Sequence, residues 1–112
     1  MCDVLDEEQV RRVVGGDIDW YRSAGELIEL HDEGGIRWFP GFQFDQDRGR
    51  VHPIVAYANR RLGAAADPEA MLDWWNTQNQ HFCERSPIDL LEAGKLTRMA
   101  VDNVVASYGM GM

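Results

Sequence analysis

Residues 37–47 read RWFPGFQFDQD, and this stretch decides how the chain can fold. Pro40 and Gly41 stand in its middle and exclude a helix, whereas its aromatic residues favour a strand. A soluble monomer does not leave so many large apolar side chains in water. We therefore predict a bent core strand over residues 36–44, with these aromatic side chains in the core: Trp38, Phe39, Phe42 and Phe44.

The residues that follow predict a turn and a returning strand. Residues 45–49, DQDRG, are typical of a turn, and residues 50–52 can pair with the strand before it. We predict a short β-hairpin over about residues 36–52.

Helix signals occupy the chain on both sides of this hairpin. On the N-terminal side, Asp6 and Ser23 are each followed three residues later by Gln or Glu, which predicts two capped helices ending at the glycine pairs 15–16 and 34–35. On the C-terminal side we predict four helices, which begin at Pro53, Asp67–Pro68, Ser86–Pro87 and about Lys95, the last one ending at about Ser107.

These elements predict a mainly α fold. We expect a small helical domain with the hairpin between an N-terminal and a C-terminal helical part. Residues 1–35 form the reduced N-terminal helical region, and residues 36–112, which begin with the hairpin, form the second region. A chain of 112 residues can form one modest core, so we expect one compact unit.

The final predicted helix and its tail have an unusual composition. The apolar residues of this helix cover more than the single stripe of about 100° that a surface helix needs. It is therefore either a central core helix or a helix with a second face for another molecule. In the tail, Tyr108, Met110 and Met112 alternate with glycines, which predicts either a flexible segment that enters a narrow pocket or a frayed end.

Charge and composition limit the classes of function. Of the net charge of −8, −6 lies in the first 50 residues, and no basic cluster is longer than a pair of adjacent arginines such as Arg60 with Arg61. We therefore expect at most weak DNA binding without a partner. The sequence shows no membrane span or signal peptide, and we expect a cytoplasmic protein. Cys2 and Cys83 do not form a disulfide framework.

We also expect no catalytic site, metal or cofactor. The histidines are far apart in the sequence, and no phosphate-binding loop or catalytic motif occurs. Cys83 lies near His81, but a cysteine in such a segment more often packs in a core. The protein is not expected to be an enzyme.

The order of several short patterns resembles a known family over about residues 36–106. These are Phe39-Pro40, Gln43-Phe44, Pro53, Trp74-Trp75, Asn79, Ser86-Pro87, Leu90-Leu91 and Gly94. They are similar to the antitoxin and toxin-binding domain shared by Xre-, MbcA- and ParS-type antitoxins. The chain departs from the family pattern at Trp75, usually a leucine, and at Glu84 and Arg85, which replace a glycine-containing segment. About 35 residues precede the Phe-Pro step, and we expect residues 1–35 to hold a remnant of the family's helix-turn-helix.

This resemblance implies an antitoxin of a type II toxin–antitoxin system. Its partner would be a cognate RES-domain toxin that consumes NAD, bound in a hetero-oligomer, with a homodimer as a further assembly. The C-terminal helix and tail would block the toxin's active site, through Asp102, Val105, Ser107, Tyr108, Gly109, Met110, Gly111 and Met112. The alternatives are a DNA-binding transcriptional autoregulator and a stand-alone adaptor protein.

Overall fold

The computed structural model describes residues 4–109, which form six α-helices and five short strands. In chain order these are β1 (Val4–Leu5), α1 (Glu7–Val14), α2 (Asp17–Ala24), β2 (Leu30–His31), β3 (Arg37–Pro40), β4 (Phe44–Asp45), β5 (Arg50–Val51), α3 (Pro53–Leu62), α4 (Pro68–Asn76), α5 (Pro87–Glu92) and α6 (Arg98–Gly109). The mainly α prediction is confirmed.

Side-chain caps begin three of these helices where the sequence places them. Asp6 and Gln9 form a reciprocal capping box at α1, with N–O distances of 2.8 and 2.9 Å. Asp67 accepts from the backbone N–H of Ala70 at α4, and Ser86 accepts from that of Asp89 at α5. Each cap satisfies a backbone donor that the first turn leaves free.

The predicted helix that begins at Ser23 is wrong. Ser23 lies inside α2, which ends at Gly25 in the left-handed conformation, with φ of 74°. The backbone N–H of Glu26 then donates to the carbonyl of Tyr21 and closes the helix. The following segment has no helix, and it brings Leu27 and Ile28 into the core.

The predicted hairpin is half correct. Strands β4 and β5 pair antiparallel across the expected turn, with Phe44 opposite Val51. Strand β3, however, pairs with β1 and β2 instead, with Leu30 opposite Trp38. The reason is a single 3-10 turn at Gly41–Gln43, which separates β3 from β4. Of the two partner strands, β2 lies in the segment predicted as the helix from Ser23, whereas β1 precedes the cap at Asp6.

A buried polar network joins the parts of the core. Gln43 is fully buried, and its side-chain oxygen accepts from the backbone N–H of Ile28 at 2.7 Å and from Asn59 Nδ2 at 3.1 Å. Its amide nitrogen donates to the carbonyls of Ile28 and Pro40. Asn59, also fully buried, accepts from the indole N–H of Trp75 at 3.0 Å. The network therefore connects the 3-10 turn, the segment after α2, and helices α3 and α4.

An ion-pair cluster surrounds Glu7 at the start of α1. Its carboxylate lies 3.1 Å from Arg11, 2.9 Å from Arg22 and 3.4 Å from Arg37. The hydrogen bond from Arg11 is the largest influence and holds the pKa of Glu7 below its usual value. Burial opposes this effect, and Arg22 adds to the lowering.

We expect Glu7 to contribute to stability only while it is ionised. Because its pKa is lower in the folded protein, its contribution is complete above the unfolded value of 4.5 and is lost as the pH falls through the folded value. In urea unfolding from about pH 7 to about pH 3, the stability difference between the wild type and Glu7→Gln should shrink below about pH 4.5.

Glu8→Gln is the matched control for this measurement. Glu8 lies on the same helix, its ion pair among residues 4–109 is with Arg12, and both side chains are largely exposed. Its substitution should change stability little at any pH. A constant difference for Glu7→Gln across this pH range would contradict the proposed contribution.

Candidate functional site

Helix α6 carries five of the eight residues that the resemblance assigns to partner binding, those from Asp102 to Gly109. It begins at Arg98, three residues later than predicted, after Thr97 accepts from the backbone N–H of Ala100 at 3.1 Å. It continues two residues past the predicted end, so Tyr108 and Gly109 belong to its last turn. Among residues 4–109, no helix is long and apolar enough to cross a membrane.

One side of α6 is buried and another is open. Val101 and Val104 are fully buried, and Ala100 and Val105 pack partly against the same core. Met99, in contrast, is 73% exposed. The helix is therefore not the central core helix that one of our two interpretations expected, and its other side remains accessible.

Asp102 holds α6 against α3. Its carboxylate accepts a hydrogen bond from the Tyr57 hydroxyl and lies 2.9 Å from Arg61 Nη1. Arg61 also donates to the Tyr57 hydroxyl at 2.8 Å. Because these partners belong to the same chain, Asp102 is not a free anion for a partner's basic pocket.

The C-terminal end of α6 forms one wall of an open groove. The volume of this groove is about 570 Å³, and it is lined by residues of α4, by residues 77–81 and Glu84, and by Ser107 and Tyr108. The indole N–H of Trp74 donates to the Tyr108 hydroxyl at 3.1 Å. Tyr108 is nevertheless 57% exposed, so its ring is held in place while one face stays accessible.

The opposite rim of the groove has a constrained backbone. Asn79 caps a 3-10 turn by accepting from the backbone N–H of His81 at 2.8 Å. Cys83 and Glu84 follow with φ values of 55° and 64°, in the left-handed region that non-glycine residues seldom adopt. Such a backbone persists only where its surroundings fix it, here partly through the Asn79–Arg85 bridge. The rim is thus fixed in shape.

The structure separates the predicted site residues into three groups. Ser107 and Tyr108 line the groove, and Gly109 ends the helix beside them. Asp102 bonds to α3 while its side chain stays about half exposed, and Val105 packs partly against the core. Met110, Gly111 and Met112 lie outside the described residues.

Sequence reasoning missed the partners that build this groove. In the sequence Trp74 stands out only as part of the Trp74-Trp75 pattern of the resemblance, whereas in the structure it is partly buried and contacts Tyr108. The signal that could have found the rim is the polar run of residues 76–79 directly after the two tryptophans. These residues mostly cap local backbone, as Thr77 does by donating to the carbonyl of Asp73 at 2.6 Å.

The part of the chain that the structure describes contains no recognisable metal-binding site. Within residues 4–109, no three histidine, cysteine, aspartate or glutamate side chains come together as metal ligands would. The free thiol of Cys83 is exposed, not in the core as the sequence led us to expect.

Comparisons with protein-family models, with curated proteins and with solved structures find no match for this chain. The antitoxin resemblance thus stands on its short sequence patterns alone.

Proposed function

We propose that this protein is the antitoxin of a type II toxin–antitoxin pair. It binds a RES-type, NAD-consuming toxin and blocks the toxin's active site with the C-terminal end of α6 and the residues that follow. The observation that carries the proposal is Tyr108, an exposed aromatic side chain held in position at the end of a packed helix.

The position of Tyr108 supports a role in protein binding. Tyrosine is enriched among the few residues that dominate binding energy at protein interfaces. Its hydrogen bond with Trp74 restricts the ring before a partner arrives, and this lowers the entropy lost on binding. Trp74 is itself supported by edge-to-face contacts with Trp75 and Phe82. The exposed ring therefore projects from a rigid base.

The groove beside Tyr108 offers a complementary feature. An open groove of about 570 Å³ next to an exposed aromatic can receive a side chain of the partner. Hot-spot residues cluster in well-packed pockets and tend to pair with hot-spot residues of the partner. The groove and Tyr108 together give the two-sided contact expected of a specific interface.

The overall charge supports a basic partner. A pocket that binds NAD must accommodate two phosphates, which arginines and lysines commonly bind. A protein of net charge −8 associates faster with such a surface. Since Asp102 is engaged with Arg61 and Tyr57, we assign it to positioning α6 rather than to contact with the toxin.

Co-expression tests this function in cells. The toxin would be encoded by a RES-domain gene beside the gene for this protein, and its expression alone should stop growth and deplete NAD. Co-expression of this chain should restore growth, and the two proteins should co-purify as a hetero-oligomer. Growth arrest that persists despite full expression of this chain would contradict the proposal.

Ile36→Ser provides the control for surface hydrophobicity. Ile36 is 65% exposed and lies between β2 and β3, away from α6 in the chain. Its substitution should leave rescue unchanged. Equal loss of rescue for Ile36→Ser and for a Tyr108 variant would indicate a non-specific effect.

A further inference from the structure

A second groove, of about 310 Å³, lies between α2, α3, α6 and β5. The residues that matter most in its lining are three arginines and three aromatic residues, namely Arg50, Arg60, Arg98, Trp20, Tyr21 and Tyr57. They come from distant parts of the sequence, and only the fold brings them together. Of these three arginines, only Arg60 stands next to another basic residue in the sequence.

The positive charge in this groove is incompletely neutralised. The guanidinium of Arg60 lies 3.3 Å from the Glu26 carboxylate. Among residues 4–109, the other two arginines of the groove, Arg50 and Arg98, form no ion pair with an acidic side chain. The Nε atom of Arg50 is shielded from solvent and, within the described residues, has no hydrogen-bond acceptor. A buried donor without an acceptor is costly, so an anion here would satisfy it.

The aromatic residues of the groove lie next to these cations. The guanidinium carbon of Arg98 lies 4.9 Å from the centre of the Tyr57 ring. Trp20 is 60% exposed, and its ring contacts that of Tyr21 edge to face, with centres 5.3 Å apart. An exposed indole that lines the same groove as these guanidinium groups combines a stacking surface with phosphate-binding donors.

We propose that this groove binds a nucleoside phosphate. The base stacks on Trp20, and the phosphate lies between Arg50 and Arg98. The volume of about 310 Å³ lies at the lower end of the range for small-molecule sites, which is about 300–1,000 Å³, and it suits one nucleotide. Bidentate contacts from arginine bind phosphate with high geometric specificity.

The charge of the whole protein favours a small ligand over a nucleic acid. A duplex or long single strand carries phosphates well beyond a groove of this size. Those phosphates would meet a protein whose net charge is −8. A mononucleotide instead experiences mainly the local arginines, because charges farther away than about 10 Å are screened at about 0.1 M salt.

Calorimetric titration of the full-length protein tests this proposal, with ADP, adenosine and inorganic phosphate as separate probes. We expect ADP to bind with a dissociation constant below about 1 mM and more tightly than either of the other probes. Arg98→Gln and Trp20→Ala should each weaken ADP binding by about tenfold or more, since each removes one of the two kinds of contact. Both residues are exposed, so the fold should tolerate these changes, as circular dichroism would verify.

Arg48→Gln is the matched control. Arg48 is also an exposed arginine, but it lies on the β4–β5 turn and is 3.9 Å from Asp45. The Arg48→Gln variant should bind ADP with the affinity of the wild type. The proposal would be overturned if Arg48→Gln and Arg98→Gln weakened ADP binding equally, or if phosphate bound as tightly as ADP. It would also be overturned if an oligonucleotide or an acidic peptide bound more tightly than ADP.

Discussion

Replacing Gln43 with leucine should lower the free energy of unfolding by about 3–5 kcal/mol, because several buried polar groups would lose their partners. The backbone N–H of Ile28 and the carbonyls of Ile28 and Pro40 all bond to this side chain. Each buried group left without a partner costs about 1–3 kcal/mol. This loss is large against a total stability of about 5–15 kcal/mol.

Urea unfolding of the two single variants and the double variant measures this effect. Gln43→Leu and Asn59→Leu should be strongly non-additive, since the two side chains share a hydrogen bond of 3.1 Å. Gln46→Leu, the same chemical change at an exposed position of the β4–β5 turn, should alter stability by no more than about 0.5 kcal/mol. A Gln43→Leu variant as stable as the wild type would show that the network does not support the fold.

The second large effect is expected at Tyr108. If this residue anchors the toxin interface, Tyr108→Ala should weaken binding to the toxin by about 30-fold or more, the loss typical of an interfacial hot spot. Tyr108→Phe keeps the ring and removes only the contact with the Trp74 indole N–H. It should weaken binding by only about threefold. Surface plasmon resonance with immobilised toxin measures the dissociation constants of both variants.

The stability of these variants separates binding from folding. Tyr108 is largely exposed and lies in the last turn of α6, so both variants should melt within a few degrees of the wild type. A chain lacking residues 109–112 should also fold and should lose inhibition. Unchanged binding by Tyr108→Ala, or full inhibition by the shortened chain, would contradict the assigned interface.

Local sequence signals were sufficient to predict several parts of the fold. The positions of Asp6, Asp67 and Ser86 predict helix starts because a cap depends on residues only three positions apart. The same reasoning failed at Ser23, where the Ser-x-x-Glu spacing occurs within and just after α2. There the left-handed Gly25 ends the helix, and burial of Leu27 and Ile28 decides the conformation of the next segment.

Long-range contacts could not be predicted in this way. Asn59 carries no signal of its role, because its partners Gln43 and Trp75 are each 16 residues away in the chain. The pairing of β3 with β1 and β2 depends equally on distant segments. Gln43 could be singled out in the sequence as a polar residue between phenylalanines, but only the structure explains it.

At the candidate site, too, local sequence signals could be used for prediction and long-range contacts could not. The unusual composition of the last helix and of residues 108–112 directed attention to the C-terminal end of the chain. The groove there requires contacts between Tyr108, Trp74 and the turn after Asn79, which no sequence spacing specifies. The arginines of the second groove are likewise separated in the sequence, and the packing of β5, α3 and α6 brings them together.

The most direct test of the central claim is the inhibition of the toxin's NAD consumption at several NAD concentrations. If the end of α6 and the following residues occupy the NAD-binding pocket, inhibition is competitive. The concentration of this protein that gives half-maximal inhibition should then rise in proportion to NAD above the toxin's KM. A value that does not change with NAD concentration, or no inhibition at stoichiometric excess, would contradict the account.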